Sequence, residues 1–228
     1  MTIAVGVMTR APSSGGKTRL APHLLLSRLV GLRRAMLADT LGVVSSLPNV
    51  TVFFTPDEAE AEIAAVDAAV ARTDAAAPAG TRACLPQGAG DLGARMFRAI
   101  QHLLEDGRFD AALLVGSDIP MLTADHLLEA ADTLRASGGV VIGPADDGGY
   151  YLIGMTRAHA GMFEDVEWGT GCVLTDTLRA AARIGVDARL VRSAYDVDTI
   201  DDLRRVERDL AAAPPERCPA LRRWLSES

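Results

Sequence analysis

Apolar positions along the chain fall into two alternating patterns. Short runs of aliphatic and β-branched residues at 3–8, 50–55, 111–116, 140–143, 150–155 and 188–191 have the length and make-up of strands. Between them, leucines and alanines recur at helical spacing over 21–46, 57–71, 90–105, 123–136, 173–184 and 200–210. A further short strand is expected at 82–85, a loop at 75–80, and a break or bend near Leu32 in the first helix. The run at 111–116 is apolar at every position, the mark of a strand covered on both faces. Residues 140–143 and 150–155 read as a strand pair around a glycine-rich turn. Thr123 and Thr199 stand where helix N-caps belong, and Asp202 follows Thr199 at capping-box spacing. Such alternation predicts an α/β fold with three layers and a mainly parallel central sheet. Ligands of such sheets lie at the carboxyl ends of the strands, which points to the loops after Met8, Gln87, Gly116 and Val191. The predicted organisation is one domain over 1–210, with 211–228 as a tail that packs as a short helix.

Composition narrows the classes of partner. Of 228 residues, 49% are hydrophobic and 23% charged, with 30 acidic against 23 basic side chains and a net charge of −7. A nucleic-acid partner is excluded on this balance, since dense phosphate contact needs clustered positive charge. No stretch approaches ~18 uninterrupted apolar residues, so no membrane span is expected, and the amino terminus reads as a first strand and not a leader. Three scattered cysteines, Cys84, Cys172 and Cys218, fit neither a zinc site nor a disulfide framework and suit a reducing cytoplasm. The basic residues hold an oddity: Lys17 is the single lysine among 23. Either a coding bias replaced lysine wherever arginine would serve, or an ammonium is required at that position.

Lys17 lies in the first loop, Arg10-Ala-Pro-Ser-Ser-Gly-Gly-Lys-Thr-Arg19. Glycines such as Gly16 let backbone N–H groups approach an oxyanion, and Arg10, Lys17 and Arg19 supply full charges, so the loop reads as a phosphate cradle. A phosphate-loop NTPase is disfavoured, because Ala11 replaces the leading glycine and Pro12 stiffens a loop that must wrap tightly. Gly116-Ser117-Asp118-Ile-Pro120 places Asp118 just past the end of a buried strand, where a carboxylate suits Mg²⁺ or Mn²⁺ between phosphate oxygens. Late in the chain, Asp196 and Asp198 flank Val197 on an extended segment. They are read as pointing to opposite sides, one carboxylate facing the site and the other making local contacts. Asp118 and Asp198 are the predicted metal pair. Two glycine-rich stretches complete the candidates: Gln87-Gly-Ala-Gly90-Asp91-Leu-Gly93-Ala-Arg95, which cradles a nucleoside or merely opens a helix, and Asp146-Asp147-Gly148-Gly149-Tyr150, which is a binding turn or merely a hairpin. Trp168, in Glu167-Trp-Gly-Thr170, is a packing or binding ring, and the four histidines are read as structural.

Taken in order, these segments resemble a known family. Gly-Lys-Thr-Arg-Leu-Ala-Pro at 16–22, Gln…Gly-Asp-Leu-Gly-x-Arg-Met at 87–96, Gly-Ser-Asp-Ile-Pro at 116–120, Gly-Pro-Ala-Asp-Asp-Gly-Gly-Tyr-Tyr-Leu-Ile-Gly at 143–154, Trp-x-Thr at 168–170 and Asp-Val-Asp-Thr at 196–199 keep their order and spacing over residues 1–210. They are similar to the GT-A-fold transferases known as radical-SAM/selenodomain-associated, or arsenosugar-biosynthesis, glycosyltransferases, and more distantly to the molybdenum-cofactor and phospholactate guanylyltransferases. The resemblance implies a GT-A-like, nucleotide-diphospho-sugar-transferase fold. By it, Lys17 and Arg19 meet the phosphates, and Asp118 and Asp198 hold the metal. Arg10, Gly16, Gln87, Gly90, Asp91, Gly93, Arg95 and Ser117 surround the nucleotide, while Asp147, Gly148, Gly149, Tyr150, Trp168 and Thr170 face the acceptor. Two departures stand out: Met-Thr-Arg-Ala-Pro replaces the Leu-x-Ala-Gly-Gly of sugar nucleotidyltransferases, and the Asp-x-Asp of many glycosyltransferases is reduced to Asp118. Three functions remain open. Nucleotidyl transfer from an NTP to a small phosphorylated acceptor is preferred, because a pyrophosphate leaving group calls for the basic first loop. Glycosyl transfer from an NDP-sugar and a nucleotide-binding regulatory domain are the alternatives.

Overall fold

The computed structural model describes every residue except 46, 48, 74–81, 106 and 228, so the loop expected at 75–80 and the far end of the first predicted helix lie outside the described residues. Seven described strands form one sheet in the order β3-β2-β1-β4-β6-β5-β7: β1 (Ile3–Arg10), β2 (Val50–Thr55), β3 (Ala83–Pro86), β4 (Ala111–Gly116), β5 (Val140–Pro144), β6 (Tyr150–Met155) and β7 (Ala188–Leu190). β1 runs parallel to β2 and β4, and β2 to β3. β6 is antiparallel to both neighbours, β4 and β5, and β7 is parallel to β5. The sheet is therefore mainly parallel, as the element order requires. β6 is reversed because a short glycine turn joins it to β5, and only an antiparallel pair can be closed by so short a connection.

Side-chain alternation along the strands divides the core into two layers. Val5 and Val7 of β1 and Leu113 and Val115 of β4 face α1 (Leu26–Val43), α2 (Glu60–Thr73) and α4 (Ala124–Ser137). Ala4, Ala112, Leu114 and Ile142 face α3 (Leu92–Leu104) and α5 (Val173–Arg183) on the other side. α1 is one continuous helix that starts at Leu26, later than the sequence pattern suggested, and it has no break at Leu32. Its leucines bury on two sides: Leu37 and Leu41 join the sheet, whereas Leu29, Leu32 and Met36 join a third cluster with α6 (Ile200–Ala212) and α7 (Pro219–Ser226). A helix gripped on both faces has no reason to bend where its apolar stripe changes side.

The tail packs through α7. Trp224 donates from Nε1 to the Arg28 carbonyl at 3.0 Å, and the Arg28 guanidinium lies 3.9 Å above its ring. Asp39 of α1 accepts the Ala220 and Leu221 N–H groups, both at 2.9 Å, satisfying donors that the first turn of α7 leaves free. Burial pushes this carboxyl up to about 6, against the pull of those two bonds. A folded-state value above the unfolded one means that its stabilisation is full below about pH 4 and is lost as the pH rises through about 6. The stability of the wild type relative to Asp39→Asn should therefore rise by about 1 kcal/mol between pH 7.5 and 5, readable from denaturant melts at the two pH values. A constant difference would show that Asp39 stays ionised throughout.

Because β1 to β4 run parallel, their carboxyl ends meet at one edge of the sheet. Arg10 registers with Thr55, Phe54 with Pro86, and Met8 with Gly116. The first loop, Gln87 and Asp118 all leave the sheet from that edge.

Candidate functional site

The first loop turns sharply, with Gly15, Gly16 and Lys17 all in the left-handed region (φ 92°, 96° and 53°). The third is costly for a side chain with a Cβ, and the loop is held from beneath. Arg33 of α1, 8% exposed, donates from Nη1 to the carbonyls of Pro12 at 2.5 Å and Gly15 at 2.7 Å. Ser13 donates from its hydroxyl to Glu62 of α2 at 2.6 Å. So pinned, the loop directs Lys17 inward: its ammonium donates to Asp118 Oδ2 at 2.6 Å and to Asp198 Oδ1 at 2.7 Å. Asp118 sits two residues beyond β4. Asp198 is placed by the start of α6, where Thr199 and Asp202 form the expected capping box.

Asp118, Asp196 and Asp198 each bring a carboxylate oxygen within 4.8 Å of the others, the one such cluster among the described residues. This corrects the expectation that Asp196 and Asp198 diverge. Positions two apart on an extended backbone share a face, and it is Val197 between them that points the other way, fully buried with α6. Burial works against the Lys17 charge, but the two carboxylates outweigh it and raise its pKa above the ordinary value. In return, Lys17 overcomes the burial of Asp118 and holds it below the usual carboxylate range. Asp196 makes no ammonium contact of that kind, and burial, then Asp118 and Asp198, push it up to about 6. Three hard oxygen donors beside a buried cation are a donor set that fits Mg²⁺ or Mn²⁺.

A cleft of about 320 Å³ opens beside this cluster, and Arg10, Gly16, Lys17, Gln87, Arg95, Ser117, Asp118 and Asp198 all line it. Gln87 bridges two strand ends, donating from Nε2 to the carbonyls of Thr9 at 2.9 Å and Phe53 at 3.0 Å. The Ser117 hydroxyl donates to Thr9 Oγ1 at 2.9 Å. Arg95 donates to the Gly90 carbonyl at 2.9 Å. Other candidates stand elsewhere. Arg19 is exposed and outside the cleft lining. Asp91 is the N-cap of α3, accepting from Ala94 N at 2.8 Å, and Gly93 is buried under Trp168.

The remaining candidates gather around the β5–β6 turn, and Asp147 is the one of them that acts on the carboxylates. Asp147 accepts from Gly149 N at 2.8 Å within the β5–β6 turn and is close enough to help raise Asp196. Trp168 stacks on Phe163 with centroids 6.5 Å apart and meets Tyr150 edge-on. Thr170 donates to the Glu167 carbonyl at 2.8 Å. The turn depends on Gly148, whose φ is +87° and where a Cβ would stand 2.2 Å from the Gly171 carbonyl oxygen. Gly148→Ala should cost about 2–3 kcal/mol in a denaturant melt, from backbone strain and displacement of the Gly171 segment; an unchanged midpoint would mean the two segments move apart freely.

Two residues of the site escaped the sequence reading in different ways. Arg33 lines the cleft and anchors the loop, with its Nε buried and unpartnered. Its signal was a pair of arginines, Arg33 and Arg34, set between the buried Leu32 and Ala35, of which Arg33 is the buried one. Asp196 needed only the two-residue period of extended chain.

The chain is similar to several known proteins. The family model described as "Uncharacterized protein conserved in bacteria (DUF2064)" matches residues 45–170. A phosphoenolpyruvate guanylyltransferase of Roseiflexus castenholzii is 32% identical over 195 residues, covering 82% of this chain and 80% of that protein. A 2-phospho-L-lactate guanylyltransferase of Methanothrix thermoacetophila is 28% identical over 197 residues, covering 84% and 77%. The fold is shared with a protein of Desulfovibrio desulfuricans G20 classed with the nucleotide-diphospho-sugar transferases, with a TM-score of 0.82 and 27% identity over 100% of this chain and 95% of the other. With over half its length matched by the family model and guanylyltransferases among its relatives, the chain belongs to the DUF2064 family.

Proposed function

We propose that this chain is a divalent-metal-dependent nucleotidyltransferase that moves the nucleoside monophosphate of an NTP onto a small phosphorylated acid and releases pyrophosphate. The observation that carries the reading is the junction of a cationic cleft wall (Arg10, Arg33 and Lys17) with three converged carboxylates at the active edge of the sheet. The guanylyltransferase relatives supply the nucleotide and acceptor class. Guanine is the base, and the acceptor is a phosphorylated short-chain carboxylic acid.

In the proposed reaction an acceptor phosphate oxygen attacks the α-phosphorus. The bond from that phosphorus to the oxygen bridging to the β-phosphate breaks, and its electron pair leaves on pyrophosphate. A phosphate nucleophile is already ionised at neutral pH, so no general base is required, and the chain's task is to position and neutralise charge. Arg10, Arg33 and Lys17 face the triphosphate, and Gln87 and Arg95 line the nucleoside end. Asp118, Asp196 and Asp198 would hold Mg²⁺ or Mn²⁺, which when bound supplies charge neutralisation and polarises the phosphoryl group. Asp147 to Tyr150, Trp168 and Thr170 form the acceptor side. The three free cysteines suit a reducing cytoplasm; among the described residues no helix is long and apolar enough to cross a membrane.

The test is pyrophosphate release from each of the four NTPs with Mg²⁺, with and without phosphoenolpyruvate or 2-phospholactate. Release that needs both GTP and a phosphorylated acid is expected. The second reading, glycosyl transfer, is favoured by the likeness to the Desulfovibrio protein. Nucleoside diphosphate released from an NDP-sugar, with no pyrophosphate from any NTP, would replace the first reading with the second.

A further inference from the structure

We propose that Lys17 is a resident counter-ion that holds the divalent metal off Asp118 and Asp198 until a nucleotide draws it away, so that the metal binds only together with the nucleotide. The second half of this statement rests on the nucleotide-and-metal reading above; the first half rests on the geometry alone. The ammonium takes one oxygen from each of two carboxylates at 2.6 and 2.7 Å, the place a bridging cation would take. Its side chain is 9% exposed, whereas the two carboxylates are each 39% exposed toward the cleft. An approaching dication therefore meets carboxylates already half-neutralised, with a fixed positive charge directly behind them. At such separations the repulsion offsets a large part of what the remaining free oxygens return, so the dication binds more weakly than it would without the ammonium.

The loop is built to let go. Lys17 reaches the carboxylates only through three successive left-handed residues, one of them with a Cβ, and Arg33 clamps the carbonyls of Pro12, ahead of this turn, and of Gly15, its first residue. Strain of that kind persists where surrounding contacts over-determine it and is released when one contact is replaced. A nucleotide's phosphates, entering against Arg10 and Arg33, offer Lys17 another anion within reach of the same loop. The carboxylates are then left to the metal. Binding of the two ligands is coupled through this one side chain, and the coupling is reciprocal.

Because Lys17 is the only lysine in the chain, ¹⁵Nζ-lysine labelling gives one side-chain signal that reports it alone. Millimolar Mg²⁺ by itself should leave the signal unmoved, and Mg²⁺ with an α,β-methylene GTP analogue should shift it. A shift with Mg²⁺ alone, or no shift with both ligands bound, would overturn the proposal. The second arm contains no nucleotide. Mn²⁺ affinity, read by electron paramagnetic resonance, should be at least about tenfold tighter in Lys17→Met than in the wild type. Adding Asp118→Asn to that variant should cancel the gain. Equal Mn²⁺ affinity in wild type and Lys17→Met would overturn the proposal. Lys17→Gln replaces the methionine variant if thermal melts show that it does not fold. Should no nucleotide bind at all, the proposed function fails, and the Mn²⁺ comparison still decides whether Lys17 guards the carboxylates.

Discussion

Asp118→Asn is expected to lower turnover by about three orders of magnitude, roughly 4 kcal/mol of transition-state stabilisation, in a protein that still folds. The substitution keeps shape and volume but removes the negative charge. Two partners would lose it: the proposed metal, left with Asp196 and Asp198, and Lys17, left with Asp198 alone. Asp118 follows the end of β4, a strand buried along its length from Ala111 to Val115, so its position is set by the core. Pyrophosphate release measured across a range of Mg²⁺ checks the claim. A variant restored to wild-type rate by more Mg²⁺ would show that Asp118 only tightens the metal; undiminished activity would remove it from the site.

Lys17→Arg is expected to cost about 100-fold in kcat, although the charge is conserved. The space between Asp118 Oδ2 and Asp198 Oδ1 accepts a single nitrogen within 2.7 Å of both. A guanidinium is planar, presents its donors in a fork, and is wider than an ammonium. Arg33 holds the loop in its turn from below and Glu62 from the side, so the wider head meets the two carboxylates at a distance set for an ammonium. Full activity in the arginine variant would mean that the single lysine is a relic of coding bias. The comparison separates the two readings of that oddity.

Several features were open to reading because they obey local rules. The strand at 111–116 and the aspartate beyond it, the capping box at Thr199 and Asp202, and the β5–β6 turn each follow from residues that touch one another in sequence. The parallel edge that gathers the first loop, Gln87 and Asp118 follows from element order. What was hidden depends on contacts between distant segments. That Arg33 points under the first loop is set by how α1 docks on the sheet. Asp196 is different: it was misplaced by assigning opposite faces to positions i and i+2, a mistake in strand geometry and not a lack of signal. The ammonium between the carboxylates was beyond sequence altogether, because charges of either sign at one strand edge are equally consistent with separate roles.

The separation of Lys17 and Asp198, 181 positions apart, has a consequence for the making of the protein. A chain emerging from the ribosome at about 5–20 residues per second exposes its basic first loop about 10–40 seconds before Asp198 arrives. During that time β1, β2 and α1 are present, but the last aspartates are not, and the loop has no late carboxylate to close on. The same bond that completes the cleft is thus among the last that synthesis permits, so a nascent or truncated chain lacking residues beyond 195 carries the basic first loop with Asp118 as the one carboxylate of the three.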